Sequence, residues 1–491
     1  MSAQQSWNRR ELRSTGVPAA PPRPRRVDAR RRRILAGLLI AALTAAPALA
    51  KNHHDRKNAN GNQVILYAAP EDAAHLAAQH GFEIAGELQA EGVYAVLLEP
   101  PASLTAEQVE SLLAGDPRAL AVSRVEIATL PTSLLIQPAQ EDVAVDLAKP
   151  SDFTTPCLGQ GFSGLLWSGY ADQQAAREIR LHEGHLENGD CGSAVVAVID
   201  TGVDADHELL RGALVPGYDF LLETAGIPSE LSMLDQSVAA ILEQSVAAIL
   251  EGEGEVLVLE QSVAAILEQS VAAILEQQPL PAYFGHGTMV AGLVRLAAPS
   301  AQIMPLRVFD GGGQGHLFDV VRAIYYAVDH GADVISMSFS MESGSKDLRK
   351  AVQYARSRGV VCVAAAGNQG QNVMVYPAAL EDAVAVAALA GDGLAGFSNY
   401  GSNLVDLGAP GNGVVSAYPG GLYGAGWGTS FSAPLVAGTA ALLVHRYPAR
   451  STASVQSIKN ALRHGSERID GLVSLIGSGR LDVLGTVREA P

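Results

Sequence analysis

Three short segments carry side chains that could make and break an acyl bond. "VAVIDTGVD" puts Asp200 directly after an apolar run, "FGHGTMVAG" puts His286 at the head of a helix-forming stretch, and "GWGTSFSAP" puts Ser430 after a Gly-rich turn. Singly, each has an ordinary explanation: an Asp after a strand often caps a helix, a lone His is more often structural than catalytic, and a Ser before a helix is commonly its N-cap. Together they supply what acyl transfer needs. A Ser hydroxyl is a poor nucleophile until an imidazole takes its proton, and the imidazole keeps the right tautomer when a buried carboxylate accepts its other N–H. Glycines around Ser430 permit close approach of backbone and substrate, and a helix start aims N–H groups at a developing oxyanion.

The elements that must position these residues are legible as an alternation. The apolar runs "AVVAVID", "IMPLRVF", "DVISMSF", "VVCVAAAG" and "AVAVAAL" are separated by helical stretches near 286–296, 316–330, 346–358 and 430–445. This alternation predicts an α/β fold with a parallel sheet covered on both faces, whose ligands and catalytic groups gather at the carboxyl ends of the strands. An earlier stretch reads differently. "VILYA", a helix over 71–80, "FEIAGEL", "VYAVLLE", a helix over 105–114 and a final strand "ALAVSRVEIA" give the order βαββαβ, an α+β ferredoxin-like module over 62–129. A binding module would show the same order. Between the two, from Leu130 to Cys191, Pro131, Pro138, Pro150 and Pro156 mark linker and irregular structure.

From about Trp167 to Val487 the chain resembles a subtilisin-like serine peptidase. The Asp, His and Ser segments stand in that family's order, and "AAAGN", "YPAA", "FSNYG" and "VDLGAPG" follow its pattern. The resemblance implies that Asp200, His286 and Ser430 form the triad and that Asn368 donates to the oxyanion beside the backbone N–H of Ser430. It also implies that 62–129 is a prodomain that assists folding, occupies the cleft and is removed by the enzyme itself. Substrate would lie as an extended strand against Ser336–Ser340, with Ser338, Phe339 and Ser340, and against Gly312–Gly315, with Gly313, Gln314 and Gly315. Ser340 and Val375 stand where the family's specificity pocket often has Gly, which implies small or medium apolar residues before the cut. Phe431 replaces the Met that usually follows the nucleophile, which removes a thioether exposed to peroxide.

Two other motifs carry nothing. "DGGGQGH" lacks the sixth-position Gly of a phosphate-binding loop because His316 stands there, and "HEGH" at 182–185 lacks the H-E-x-x-H zinc spacing. No cofactor is expected; the family's Asn-rich calcium loop after the His286 helix is missing, which leaves calcium elsewhere open.

Residues 1–50 hold ten Arg and end in "ILAGLLIAALTAAPALA", a signal peptide with a long basic n-region and an A-x-A cleavage site. A polar spacer, 51–61, follows. The apolar run is short for a membrane span of about 20 residues, so export without stable membrane insertion is expected. The rest of the chain carries 24 basic against 49 acidic side chains, about −25, which argues against a nucleic-acid partner. Of three cysteines, Cys157 and Cys191 could pair, while Cys362 reads as a buried thiol.

The domain boundaries expected are therefore 1–50, 51–61, 62–129, a linker over 130–166 and a catalytic domain over 167–491. The last contains an insertion, 231–279, in which "QSVAAILEQSVAAILE" occurs twice. On a helix its apolar residues share half the circumference, which predicts two amphipathic helices joined by a turn at 252–260; an extended form and a structureless expansion stay open. The function expected is a secreted serine endopeptidase, self-processed from a proenzyme and acting on protein or peptide substrates. The alternative is a catalytically idle scaffold of the same fold that binds a partner through the repeat.

Overall fold

A computed structural model describes residues 62–130, 166, 168–189, 191–234, 280–447 and 450–491. The signal segment, the spacer, nearly all of the linker with Cys157, and the repeats with their expected helices lie outside the described residues. All described residues belong to one compact unit, Arg56–Pro491.

The N-terminal part contains β1 (Val64–Tyr67), α1 (Pro70–His80), β2 (Glu83–Ala90), β3 (Val93–Glu99), α2 (Ala106–Leu113) and β4 (Ala121–Arg124). Its four strands form an antiparallel sheet in the order β2-β3-β1-β4. Local chemistry sets the helix ends. Pro70 opens α1, Gly81 closes it at φ +69°, and a reciprocal Thr105/Gln108 capping box opens α2. The uniformly apolar β1 follows from burial of both its faces: Val64 and Leu66 pack under the two helices, while Ile65 and Tyr67 join the core of the larger part.

The larger part is built on β6 (Val195–Asp200), β7 (Gly217–Asp219), β8 (Thr224–Gly226), β9 (Gln302–Arg307), β11 (Val334–Met337), β12 (Val361–Ala365), β13 (Ala383–Ala390), β14 (Gly393–Leu394) and β15 (Leu407–Pro410). The sheet runs β14-β13-β12-β11-β6-β9-β7-β8, with β15 also on β13. Its centre is parallel, as the apolar runs imply, and only the edges β8 and β14 are antiparallel. Helices α4 (His286–Ala297), α7 (Thr429–Leu443), α5 (Leu317–Asp329) and α6 (Lys346–Ser357) cover it, and β16 (Asn412–Tyr418) pairs with β17 (Leu422–Trp427) as a separate hairpin.

Helices α4 and α7 bring their catalytic candidates together through small residues. Every residue of both helices is buried. A Cβ on Gly438 would stand 2.5 Å from Ala297 Cβ, so α7 can seat against α4 only with Gly there.

The structure differs from the sequence reading in two places. The stretch up to Cys191 is not wholly irregular: it contains helical turns at Ser168–Ala171 and Gln174–Glu178 and α3 (Leu181–Asn188). These were unreadable because they are too short to repeat an apolar face, and what they bury mixes large residues such as Tyr170 and Leu181 with small or polar ones such as Ala171, Ala176 and His185. The expected final strand of the N-terminal part is also broken. It ends at Arg124, and a separate strand, β5 (Ile127–Thr129), leaves that sheet and pairs antiparallel with β10 (Gln314–His316) of the larger part.

Candidate active site

Asp200 is the last residue of β6, His286 the first of α4 and Ser430 the second of α7. His286 Nδ1 lies 2.6 Å from Asp200 Oδ1, with both side chains out of solvent. The backbone N–H of Thr201 donates to the same carboxylate oxygen at 2.8 Å, which fixes its orientation. His286 Nε2 is buried with no hydrogen-bond partner. Ser430 Oγ does not occupy it, because it donates to the Ser338 carbonyl at 3.0 Å while Ser338 Oγ donates to the Ser430 carbonyl at 2.9 Å.

Asn368 is held from its oxygen side. Its Oδ1 accepts from the Thr429 backbone N–H and hydroxyl, each at 2.9 Å. Its Nδ2 is buried without a partner. A Cβ on Gly428 would stand 3.1 Å from that nitrogen and 3.8 Å from the Ser430 backbone nitrogen, so both donors border one small space that only Gly leaves open.

The two edges expected to hold substrate are occupied by the chain itself. Gln314, Gly315 and His316 pair with Thr129, Ala128 and Ile127, and the Leu130 N–H donates to the Gly313 carbonyl at 2.9 Å. On the other side Thr129 exchanges backbone hydrogen bonds with Ser340, at 3.3 and 3.1 Å. Phe339, expected to meet substrate, instead turns its side chain into the core, with its ring centroid 5.2 Å from that of Phe309. Alternation along the extended chain accounts for this: the Ser338 hydroxyl reaches the Ser430 carbonyl, and the next side chain faces the opposite way. Val375 is buried beside Gly367, where a Cβ would meet Val375 Cγ2 at 3.2 Å.

Two residues of the site were not read from the sequence. Tyr283 donates its hydroxyl to the Leu130 carbonyl at 3.2 Å and its ring packs against Gly313, which at φ +74° has no room for a side chain. Glu230 is fully buried between Thr201 and the first turn of α4. Nothing in "PSELS" marks it, since its partners stand 29 to 58 positions away. The "HEGH" histidines are structural: His185 Nε2 lies 2.8 Å from the Ala297 carbonyl and His182 lies 3.6 Å from Asp172. Among the described residues, no group of three or more His, Cys, Asp or Glu could hold a metal ion, and no helix is long and apolar enough to cross a membrane. Cys191 is disulfide-bonded and Cys362 is a free buried thiol, while Cys157 lies outside the described residues.

Comparison with known proteins follows the same lines. The family model of the subtilase family matches residues 192–479. Thermitase of Thermoactinomyces vulgaris is 33% identical over 296 residues, covering 60% of this chain and 88% of thermitase. The thermophilic serine proteinase of Bacillus sp. (strain AK1) is 34% identical over 288 residues, covering 58% of this chain, which spans only 60% of that relative's length. The solved structure of fervidolysin from Fervidobacterium pennivorans, described as a keratinolytic enzyme related to subtilisin, superimposes with a TM-score of 0.63 at 21% identity. It covers 87% of this chain and 61% of its own, and the likeness is one of fold. The chain belongs to the subtilase family.

Proposed function

We propose that this chain is a secreted serine endopeptidase that hydrolyses peptide bonds through an acyl-enzyme at Ser430 and is self-processed from a proenzyme. In this reading His286 is the general base, Asp200 orients it and stabilises the imidazolium, and Asn368 Nδ2 with the Ser430 N–H receives the oxyanion. The observation that carries the reading is the pair of buried, unpartnered nitrogens, His286 Nε2 and Asn368 Nδ2. Leaving a buried acceptor such as His286 Nε2 or a buried donor such as Asn368 Nδ2 unsatisfied costs about 1–3 kcal/mol, which a reacting group offsets when it arrives.

The groove supports the sequence of events. An antiparallel ladder repeats its hydrogen-bonded pairs every second residue, so a substrate pairing with Ser340 as Thr129 does would next offer an N–H to the Ser338 carbonyl. That carbonyl now receives the Ser430 hydroxyl. Once substrate takes it, the hydroxyl is free to turn to His286 Nε2. The seating of Ile127–Leu130 along both edges supports the proenzyme reading, with residues 62–129 as the inhibitory prodomain and partner of the catalytic part. Export through residues 1–50 and the expectation of no cofactor, with calcium left open, rest on the sequence. The idle scaffold finds no favouring observation. Casein hydrolysis by the parent and by a Ser430→Ala copy tests the proposal, since only the parent should be active.

A further inference from the structure

The connection between Asp200 and His286 is interrupted by the repeat-bearing insertion, yet just before the insertion it sends one carboxylate back between the two residues. Glu230 opens a short 3-10 turn, Glu230–Met233, after Ser229. The segment is pinned beside the strand end: the Val203 N–H donates to the Pro228 carbonyl at 3.0 Å and the Glu230 N–H to the Val203 carbonyl at 3.2 Å. The side chain then meets only donors. Oε1 accepts from the Thr201 hydroxyl and from the Gly287 N–H at 3.0 Å; Oε2 accepts from the Thr288 hydroxyl and from the Thr288 N–H at 3.2 Å. Thr201 follows Asp200 and also bonds its carboxylate, while Gly287 and Thr288 follow His286. One carboxylate thus ties the residue after the acid to the residues after the base.

We propose that Glu230 is a positioning residue for catalysis, which clamps Asp200 to His286 and whose negative charge favours the imidazolium formed when Ser430 gives up its proton. The proposal rests on the peptidase reading. A fully buried carboxylate is unfavourable by itself, and a role confined to packing would be met more cheaply by an apolar residue. Here four donors and the positive end of α4 compensate it. The geometry is also demanding. A Cβ on Gly287 would stand 2.1 Å from the Gly202 carbonyl oxygen, so a small rotation of α4 against the Asp200 loop has no room to be absorbed.

The ionisable groups facing Glu230 are Asp200 from β6 and the Tyr418 phenol from β16, whose pKa Glu230 raises further; its bonds to α4 go to Gly287 and Thr288, one and two residues after His286. Burial raises the Glu230 carboxyl to about 7, the Thr201 and Thr288 bonds oppose the rise, and the Asp200 charge adds to it. Its charge is therefore gained in the neutral range.

The test is steady-state kinetics of Glu230→Gln on a chromogenic peptide across pH, beside the parent and with the folded fraction measured. The amide keeps size but turns one donor toward donors and removes the charge. The expected result is kcat lower by about ten- to a hundredfold with KM little changed. The acid limb of kcat/KM should also lose one titrating group and move to lower pH. A purely structural role would lower stability but leave that limb in place, and an unchanged kcat and limb overturn the proposal. If Glu230→Gln does not fold, Thr288→Ala decides: it removes one donor of the clamp and leaves the carboxylate, so an unaltered kcat there is equally fatal. An inert parent overturns the peptidase reading and this proposal together; an active parent with an unaffected variant overturns this proposal alone.

Discussion

At the scale of single residues, the candidate site is marked by atoms left without partners. Asn368 is the sharpest case, because its oxygen is fixed by Thr429 and its nitrogen is left over. Asn368→Ala should lower kcat by about 10²–10³, or roughly 3–4 kcal/mol, with KM nearly unchanged, because the lost bond forms only as charge develops on the substrate oxygen. Kinetics on a short peptide check this; a rise in KM at constant kcat would instead make Asn368 a ground-state binding residue. The triad candidates and Asn368 were legible because each sits in a local motif at a strand end or helix start. Glu230 and Tyr283 were not, because their significance lies in contacts with Thr201, Gly287 and Leu130 that no short window of sequence contains.

At the scale of elements, apolar period and turn residues gave most of the strands and helices. The βαββαβ order and the central parallel strands are visible in runs such as "VILYA" and "VVCVAAAG" because burial on both faces leaves little polar interruption. The break after Arg124 was hidden, since "VSRVEIA" continues to alternate while its second half pairs with a different sheet. The N-terminal sheet seats closely on α5: a Cβ on Gly86 would stand 3.1 Å from the Phe318 ring. Lys350 Nζ of α6 lies 4.9 Å from the centroid of the Tyr67 ring, and Glu91 pairs with Arg358. Gly86→Leu, made in the Ser430→Ala background to hold the chain intact, should destabilise it by about 1–3 kcal/mol through overpacking at this seat. Urea unfolding measures it, and a neutral substitution would mean that the sheet does not rest there in solution.

At the scale of the whole molecule, buried ionisable groups give opposing pH dependences. Burial pushes His185 down to about 4 and lowers His182 and His207 as well. The unfolded chain therefore takes up protons at these sites first, and their contribution, fully present above about 6.5, is lost as pH falls toward 4, by about 3 kcal/mol for His185 alone. Glu230 has the opposite sign: its carboxyl is raised from 4.5 to about 7, so the fold takes up that proton first and gains stability as pH falls through this window. Urea unfolding of the Ser430→Ala chain from pH 8 to 4 should thus become shallower on acidification in a His185→Gln copy and steeper in a Glu230→Gln copy. Parallel curves for all three would contradict both assignments.

In the proposed enzyme one hydroxyl, that of Ser430, both frees the catalytic part from its own N-terminal part and turns over protein. The most direct measurement is the mass of protein produced from Lys51 onward, beside its Ser430→Ala copy, with casein hydrolysis followed in both. Only the parent should shed a segment ending beyond Leu130 and then digest casein, while the copy should stay full length and inert. A folded parent that remains intact and inactive, or a Ser430→Ala copy that matures and digests casein as the parent does, would contradict it.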